Sequence, residues 1–87
     1  LDEVSGEFYI RLEVDDEAGV LASIAKTLSD CGISIETLMQ RSCKTEGRAW
    51  LLLTTHTTTE GAIQRACGEL KNNPKVSSEP FVLRFGY

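Results

Sequence analysis

The sequence predicts an α+β fold, a ferredoxin-like βαββαβ sandwich with a four-stranded antiparallel sheet and two helices on one of its faces. Three observations carry this: two stretches with the two-residue period of a half-buried strand, two with the spacing of an amphipathic helix, and an order in which they alternate as strand, helix, strand, strand, helix, strand. Crossovers between strands are overwhelmingly right-handed, so two helices with one apolar stripe each come to lie together on one side. The other side of the sheet is expected to stay open.

Residues 1–7 are acidic and polar around Gly6 and read as a linker from a preceding domain; residues 8–87 then form one domain. The first strand covers about Phe8 to Val14, where Phe8, Ile10, Leu12 and Val14 alternate with Tyr9, Arg11 and Glu13. A helix from about Ala18 to Cys31 follows, with Val20, Leu21, Ile24, Ala25, Leu28 and Cys31 at helical spacing, acids in its first turn and Gly32 to stop it. Ile33 to Arg41 is the second strand. Its alternation falters at Leu38 and Met39, which predicts either a bulge or cover on both faces.

Lys44 to Gly47 supplies a hairpin turn into a third strand, about Ala49 to His56, whose apolar run Trp50-Leu51-Leu52-Leu53 marks it as central or covered by a partner. Thr57 to Glu60 has capping-box spacing, and Ile63, Ala66, Cys67 and Leu70 form the stripe of the second helix, which ends at Asn72-Asn73-Pro74. Val76 to Phe85 is the fourth strand, placed at an edge by Pro80.

The 87 residues, 41% hydrophobic and 25% charged, suit one ordinary soluble globule with a modest core. No apolar run approaches the ~20 residues of a bilayer span, so no membrane partner and a cytoplasmic location are expected. A net charge of −4 with scattered basic residues argues against nucleic acid as partner. An RNA-binding sheet would also need aromatics and cations arrayed on the open face, where Tyr9 and Arg11 are joined by Glu13. Cys31, Cys43 and Cys67 have no paired spacing, which suggests neither disulfides nor zinc. Leu1 in place of methionine leads to the expectation of a piece of a longer protein.

No GxGxxG, P-loop, metal cluster or nucleophile beside a base is present, so catalytic residues, cofactors and metals are all expected to be absent from this stretch. The chemistry-bearing feature is the junction Val14-Asp15-Asp16-Glu17-Ala18-Gly19-Val20-Leu21. A glycine there lets a ligand approach backbone, and the amides of the first helical turn attract a carboxylate. Asp15 or Asp16 can pair an ammonium group, or can simply cap the helix. Gly19 can serve the ligand or only the turn, and Val20 and Leu21 can belong to the core instead of a pocket. Trp50 can pack under the helices or anchor a partner on the open face; lone His56 reads as a surface or satisfied polar residue.

The strand, an acid, Gly19-Val20-Leu21 opening a helix, and Gly32-Ile33-Ser34-Ile35 opening the next strand together resemble the ACT domain, a regulatory module that commonly binds amino acids. With Tyr9-Ile10-Arg11-Leu12 and Leu53-Thr54-Thr55-His56, the pattern is similar to the carboxy-terminal ACT domain of the homoserine dehydrogenase family, over about Phe8 to Phe85. Two departures stand out: Ala18 replaces the family's proline before the helix, and Ser34 stands where other ACT domains often carry asparagine.

The resemblance implies feedback control of the aspartate-family pathway, with L-threonine the favoured effector, held at the seam of a homodimer paired through edge strands. Asp15, Asp16, Ala18, Gly19, Val20 and Leu21 would come from one copy and Ser34 and Ile35 from the other, with the amides of Gly19 and Val20 on the carboxylate. The NAD(P)-dependent reaction would reside in catalytic domains of the parent enzyme, which are absent here, and those domains would be partners. The alternative is a purely structural dimerisation domain of the same enzyme with no ligand.

Overall fold

A computed structural model describes residues 5–86; the outer part of the expected linker, residues 1–4, and Tyr87 lie outside the described residues. The elements run β1 (Ser5–Asp15), α1 (Val20–Asp30), β2 (Ile35–Ser42), β3 (Arg48–Thr55), β4 (Thr58–Thr59), α2 (Glu60–Lys71) and β5 (Phe81–Gly86). All pairings are antiparallel, with β3 and β1 central, β2 on the free side of β3 and β5 on the other side of β1. This is the expected ferredoxin-like sandwich with one small addition, the two-residue β4, which pairs with Ser5 and Gly6. That pairing makes the last part of the expected linker, Ser5 to Glu7, a piece of β1.

Both helices lie on one face, and the alternation of β1 explains why. Phe8, Ile10, Leu12 and Val14 are buried against Ile24 and Leu28 of α1 and Ile63, Ala66 and Leu70 of α2, with Ala49, Leu51 and Leu53 of β3 beside them. Cys31 and Cys67, expected to be buried, are only half-buried at the edge of this cluster.

α1 begins two residues later than its pattern suggested. Gly19 occupies its N-cap with φ 89°, the left-handed region, and no side chain caps it. The acids therefore precede the helix rather than fill its first turn, and the simple capping role open to Asp15 and Asp16 is not the one they play. At its other end Gly32, φ 78°, closes a Schellman turn: its amide donates to the Ser29 carbonyl at 2.9 Å, and that of Ile33 to Leu28 at 2.9 Å. Ile33 is thereby pinned in the core, and β2 starts at Ile35.

Neither alternative expected at Leu38 and Met39 occurs there: they pair regularly with Leu53 and Leu52, and the register shift of β2 lies earlier, between Ile35 and Thr37. β2 is an edge strand that is exposed beyond Ile35: Leu38 is 40% and Met39 51% exposed. α2 is capped by Thr59, whose hydroxyl accepts from the Ala62 amide at 3.2 Å, and not by Thr57. β4 holds Thr58 and Thr59 extended, which moves the helix start two residues past the apparent capping box. The fourth strand of the sequence reading narrows to β5, because the segment from Val76 to Pro80 touches the sheet only through a bridge from Val76 to Val14.

Thr55 is the buried polar residue of the core. A register shift between Glu7 and Phe8 disturbs the ladder, and the Phe8 amide donates instead to the Thr55 hydroxyl at 3.2 Å. Thr55→Val keeps the shape but leaves that buried donor without an acceptor. It is expected to cost about 1–3 kcal/mol in a urea melt; a change below about 0.5 kcal/mol, the scale of a neutral surface substitution, would show the bond to be dispensable.

Candidate functional site

β1 ends beside the start of α1, and the turn between them forms the wall of a cleft of about 210 Å³. Val14, Val20 and Leu51 make an apolar floor, Asp15, Asp16 and Glu17 an acidic lip, and Ala18 and Leu21 the helix side. Five of the residues singled out from sequence, Asp15, Asp16, Ala18, Val20 and Leu21, converge here, with Gly19 setting the turn between them.

The three acids are not equivalent. Asp15 is tied to Arg48 at 3.3 Å and Glu17 to Lys75 at 2.8 Å. The hydrogen bond from Lys75 and the charge of Glu17 hold that ammonium above the ordinary lysine value. The pair's contribution to folding is thus complete below the ordinary lysine pKa and is lost only as pH rises through the higher folded value. Asp16 has no cation partner among the described ion pairs, and one of its oxygens accepts from Gln40 Nε2 at 3.2 Å. Of the two aspartates, Asp16 is the carboxylate without an ion pair among the described residues.

Gln40 is the residue that reading the sequence missed. It reaches the cleft because β2 and β3 pair with Gln40 opposite Leu51, a floor residue. No local pattern reveals this, since an isolated glutamine on an exposed strand looks like any solvated side chain.

The donors also differ from expectation. The Val20 amide is already engaged by the Glu17 carbonyl at 3.3 Å, so it is not free for a carboxylate. The amides that follow at the helix start have no i−4 partner of their own and no capping side chain. Leu21 follows Val20 in this way, and the Gly19 amide, just before it, also has no backbone acceptor among the described residues.

Ser34 and Ile35 lie at the opposite end of β2 from Gln40, about 17 Å away at ~3.4 Å per residue, and are not part of the cleft within one chain. The Ser34 carbonyl accepts from the His56 amide at 2.9 Å, and Ile35 packs against the core. His56 is exposed. Trp50 lies on the open face, under the Arg11 guanidinium at 5.6 Å.

Elsewhere, a wider groove of about 640 Å³ runs between α1 and α2, lined by Thr27, Asp30, Gln64 and Glu69 among others. It lacks an apolar floor. No group of three or more His, Cys, Asp or Glu placed to hold a metal occurs among the described residues. Burial, and after it the Glu79 carboxylate, push the Cys67 thiol above its ordinary value, which keeps it protonated and unreactive at neutral pH. No helix among the described residues is long and apolar enough to cross a membrane.

Fold and cleft together define the class: the chain has the fold of an ACT domain. The ACT domain of GTP pyrophosphokinase from Chlorobium tepidum superposes with a TM-score of 0.70, covering 92% of this chain and 100% of that one at 16% identity, a likeness of fold alone. Within the class, the chain resembles a segment of homoserine dehydrogenases. It is 34% identical over 83 residues to the enzyme of Helicobacter pylori, covering 95% of this chain and 20% of that enzyme, and 32% identical over 82 residues to that of Corynebacterium glutamicum, covering 94% and 18%. The crystal structure of a homoserine dehydrogenase from Thiobacillus denitrificans superposes with a TM-score of 0.84 at 28% identity, covering 95% of this chain and 18% of that one. No protein-family model matches the chain. The chain spans about one fifth of the length of the curated relatives it matches.

Proposed function

We propose that this chain is the amino-acid-sensing regulatory domain of a homoserine dehydrogenase, with L-threonine as effector and a seam between two copies as the binding place. The observation that carries the reading is the small cleft at the β1–α1 junction, where one unpaired carboxylate, uncapped amides and a side-chain amide face an apolar floor. Asp16 pairs the ammonium of the amino acid, the Gly19 and Leu21 amides take its carboxylate, and Gln40 reads its side-chain hydroxyl.

Two copies joined antiparallel through their exposed β2 edges support the same reading. Such pairing brings the Ile35 end of one strand beside the Gln40 end of the other, so Ser34 and Ile35 of the second copy approach the cleft from outside. It also hides Leu38 and Met39, an apolar edge that invites association. Threonine regulates a parent enzyme only if it binds one arrangement of the assembly more tightly, with a coupling of ~1–3 kcal/mol being typical. The NAD(P)-dependent chemistry belongs to the remainder of such an enzyme.

Isothermal calorimetry of the chain with L-threonine tests this directly, with L-valine as the isostere lacking the hydroxyl. Saturable heat for threonine and much weaker binding of valine are expected. A folded dimer that gives no heat at millimolar threonine would end the sensor reading and leave the domain a scaffold.

A further inference from the structure

The sheet face away from the helices is a second surface, separate from the cleft and sharing Met39 with the β2 edge. Since Ile10 and Leu12 point into the core, Arg11 and Glu13 point out, and the residues paired with them across the sheet share that face. Met39, Leu52, Arg11 and Phe81 form one row across four strands; Arg41, Trp50 and Glu13 form the next. Met39 is 51%, Phe81 46% and Leu83 53% exposed, an apolar area that a lone domain gains nothing by showing to water.

The charges on this face are held but not neutralised. The Arg11 guanidinium is 4.7 Å from the Phe81 ring and 5.6 Å from Trp50, so aromatic faces fix its position. Neither Arg11 nor Glu13 has an ion-pair partner among the described residues, and the Glu13 carboxylate accepts only from Cys43 Sγ at 3.3 Å. An acidic segment of another protein would answer Arg11 and Arg41, the cation in the row of Glu13, but leave Glu13 facing it. A nucleic acid is disfavoured by Glu13 and by the net charge of −4.

We propose that two copies of this chain stack through their open sheet faces. The two-fold axis lies between the sheets and runs across the strands at the level of Leu12. That operation sets Arg11 of each copy opposite Glu13 of the other, twice per interface, and Leu52 opposite Trp50, so one surface supplies both halves of its own complement. Combined with pairing of β2 edges, it builds a four-copy assembly; without edge pairing, it builds a dimer.

Sedimentation velocity on the chain and on Arg11→Glu, Glu13→Arg and the double variant tests the stacking, with circular dichroism confirming that each folds. Each single reversal is expected to weaken association about hundredfold, and the double reversal to restore it to within about tenfold. Leu38→Arg, on the β2 edge, is expected to leave the stacked dimer intact. A chain that stays monomeric at 100-fold dilution steps up to about millimolar concentration, single reversals without effect, or a double variant as weak as the singles would each overturn the proposal. Threonine calorimetry on the same variants keeps this result separate from the sensor reading, since Arg11 and Glu13 do not line the cleft.

Discussion

Phe8→Ala is expected to remove about 3–5 kcal/mol of stability, the largest loss of any substitution considered, and to lower the melting temperature by tens of degrees at ~4–8 °C per kcal/mol for a domain of this size. Phe8 is 2% exposed and lies where β1 meets both β3 and β5 under α2, so its ring bridges sheet and helix. A domain of this length holds only ~4–13 kcal/mol in total, which means the variant is close to unfolded before any denaturant is added. The neighbourhood has little means of relaxing, because the Phe8 amide is itself held by Thr55. Urea melts of both proteins measure the difference; a loss below ~1 kcal/mol, typical of an average substitution, would show that the ring is not part of the cooperative core.

Asp16→Lys is expected to abolish effector binding while leaving the fold untouched. Asp16 is exposed, its amide donates to the Gly47 carbonyl irrespective of the side chain, and its carboxylate makes only the contact with Gln40. Stability should therefore stay within ~0.5 kcal/mol, the range of ordinary surface changes. Binding is different, since an attractive charge facing the ammonium of an amino acid becomes a repulsive one and the loss is expected to exceed about hundredfold. Calorimetry supplies the affinity and a melt without ligand supplies the stability. Retained affinity would place the amino group elsewhere and dismiss the cleft as its receptor.

These two residues divide the molecule as the sequence and the structure do. The period-two pattern around Phe8 and the helical stripes of Ile24 and Leu28 or Ile63 and Leu70 were readable because burial on one face is a local property, repeated every second or every third to fourth residue. Glycine at 19 and at 32 marked the helix ends for an equally local reason: their positive φ excludes most other residues at little cost to glycine. Even the turn that walls the cleft, Asp15 to Leu21, was legible as a strand handing over to a helix.

What could not be read was whatever depends on partners distant in the chain. Gln40 belongs to the cleft only because β2 pairs with β3 in one particular register, opposite Leu51. Asp16 differs from Asp15 and Glu17 only because Arg48 and Lys75, from two other segments, neutralise its neighbours. The Val20 amide is withdrawn from the candidate donors by a carbonyl three residues back, a consequence of how Gly19 bends the turn. β2 is exposed beyond Ile35 because it lies at the sheet edge, which no composition of the strand itself could announce. The sequence by itself determined the fold class, the two helix stripes and the place of the turn between β1 and α1, all set by short-range periodicity and backbone sterics. The tertiary structure alone decided which charge stays unpaired, which side chain closes the cleft and that β2 is an exposed edge, because those follow from strand register and from contacts between segments dozens of residues apart.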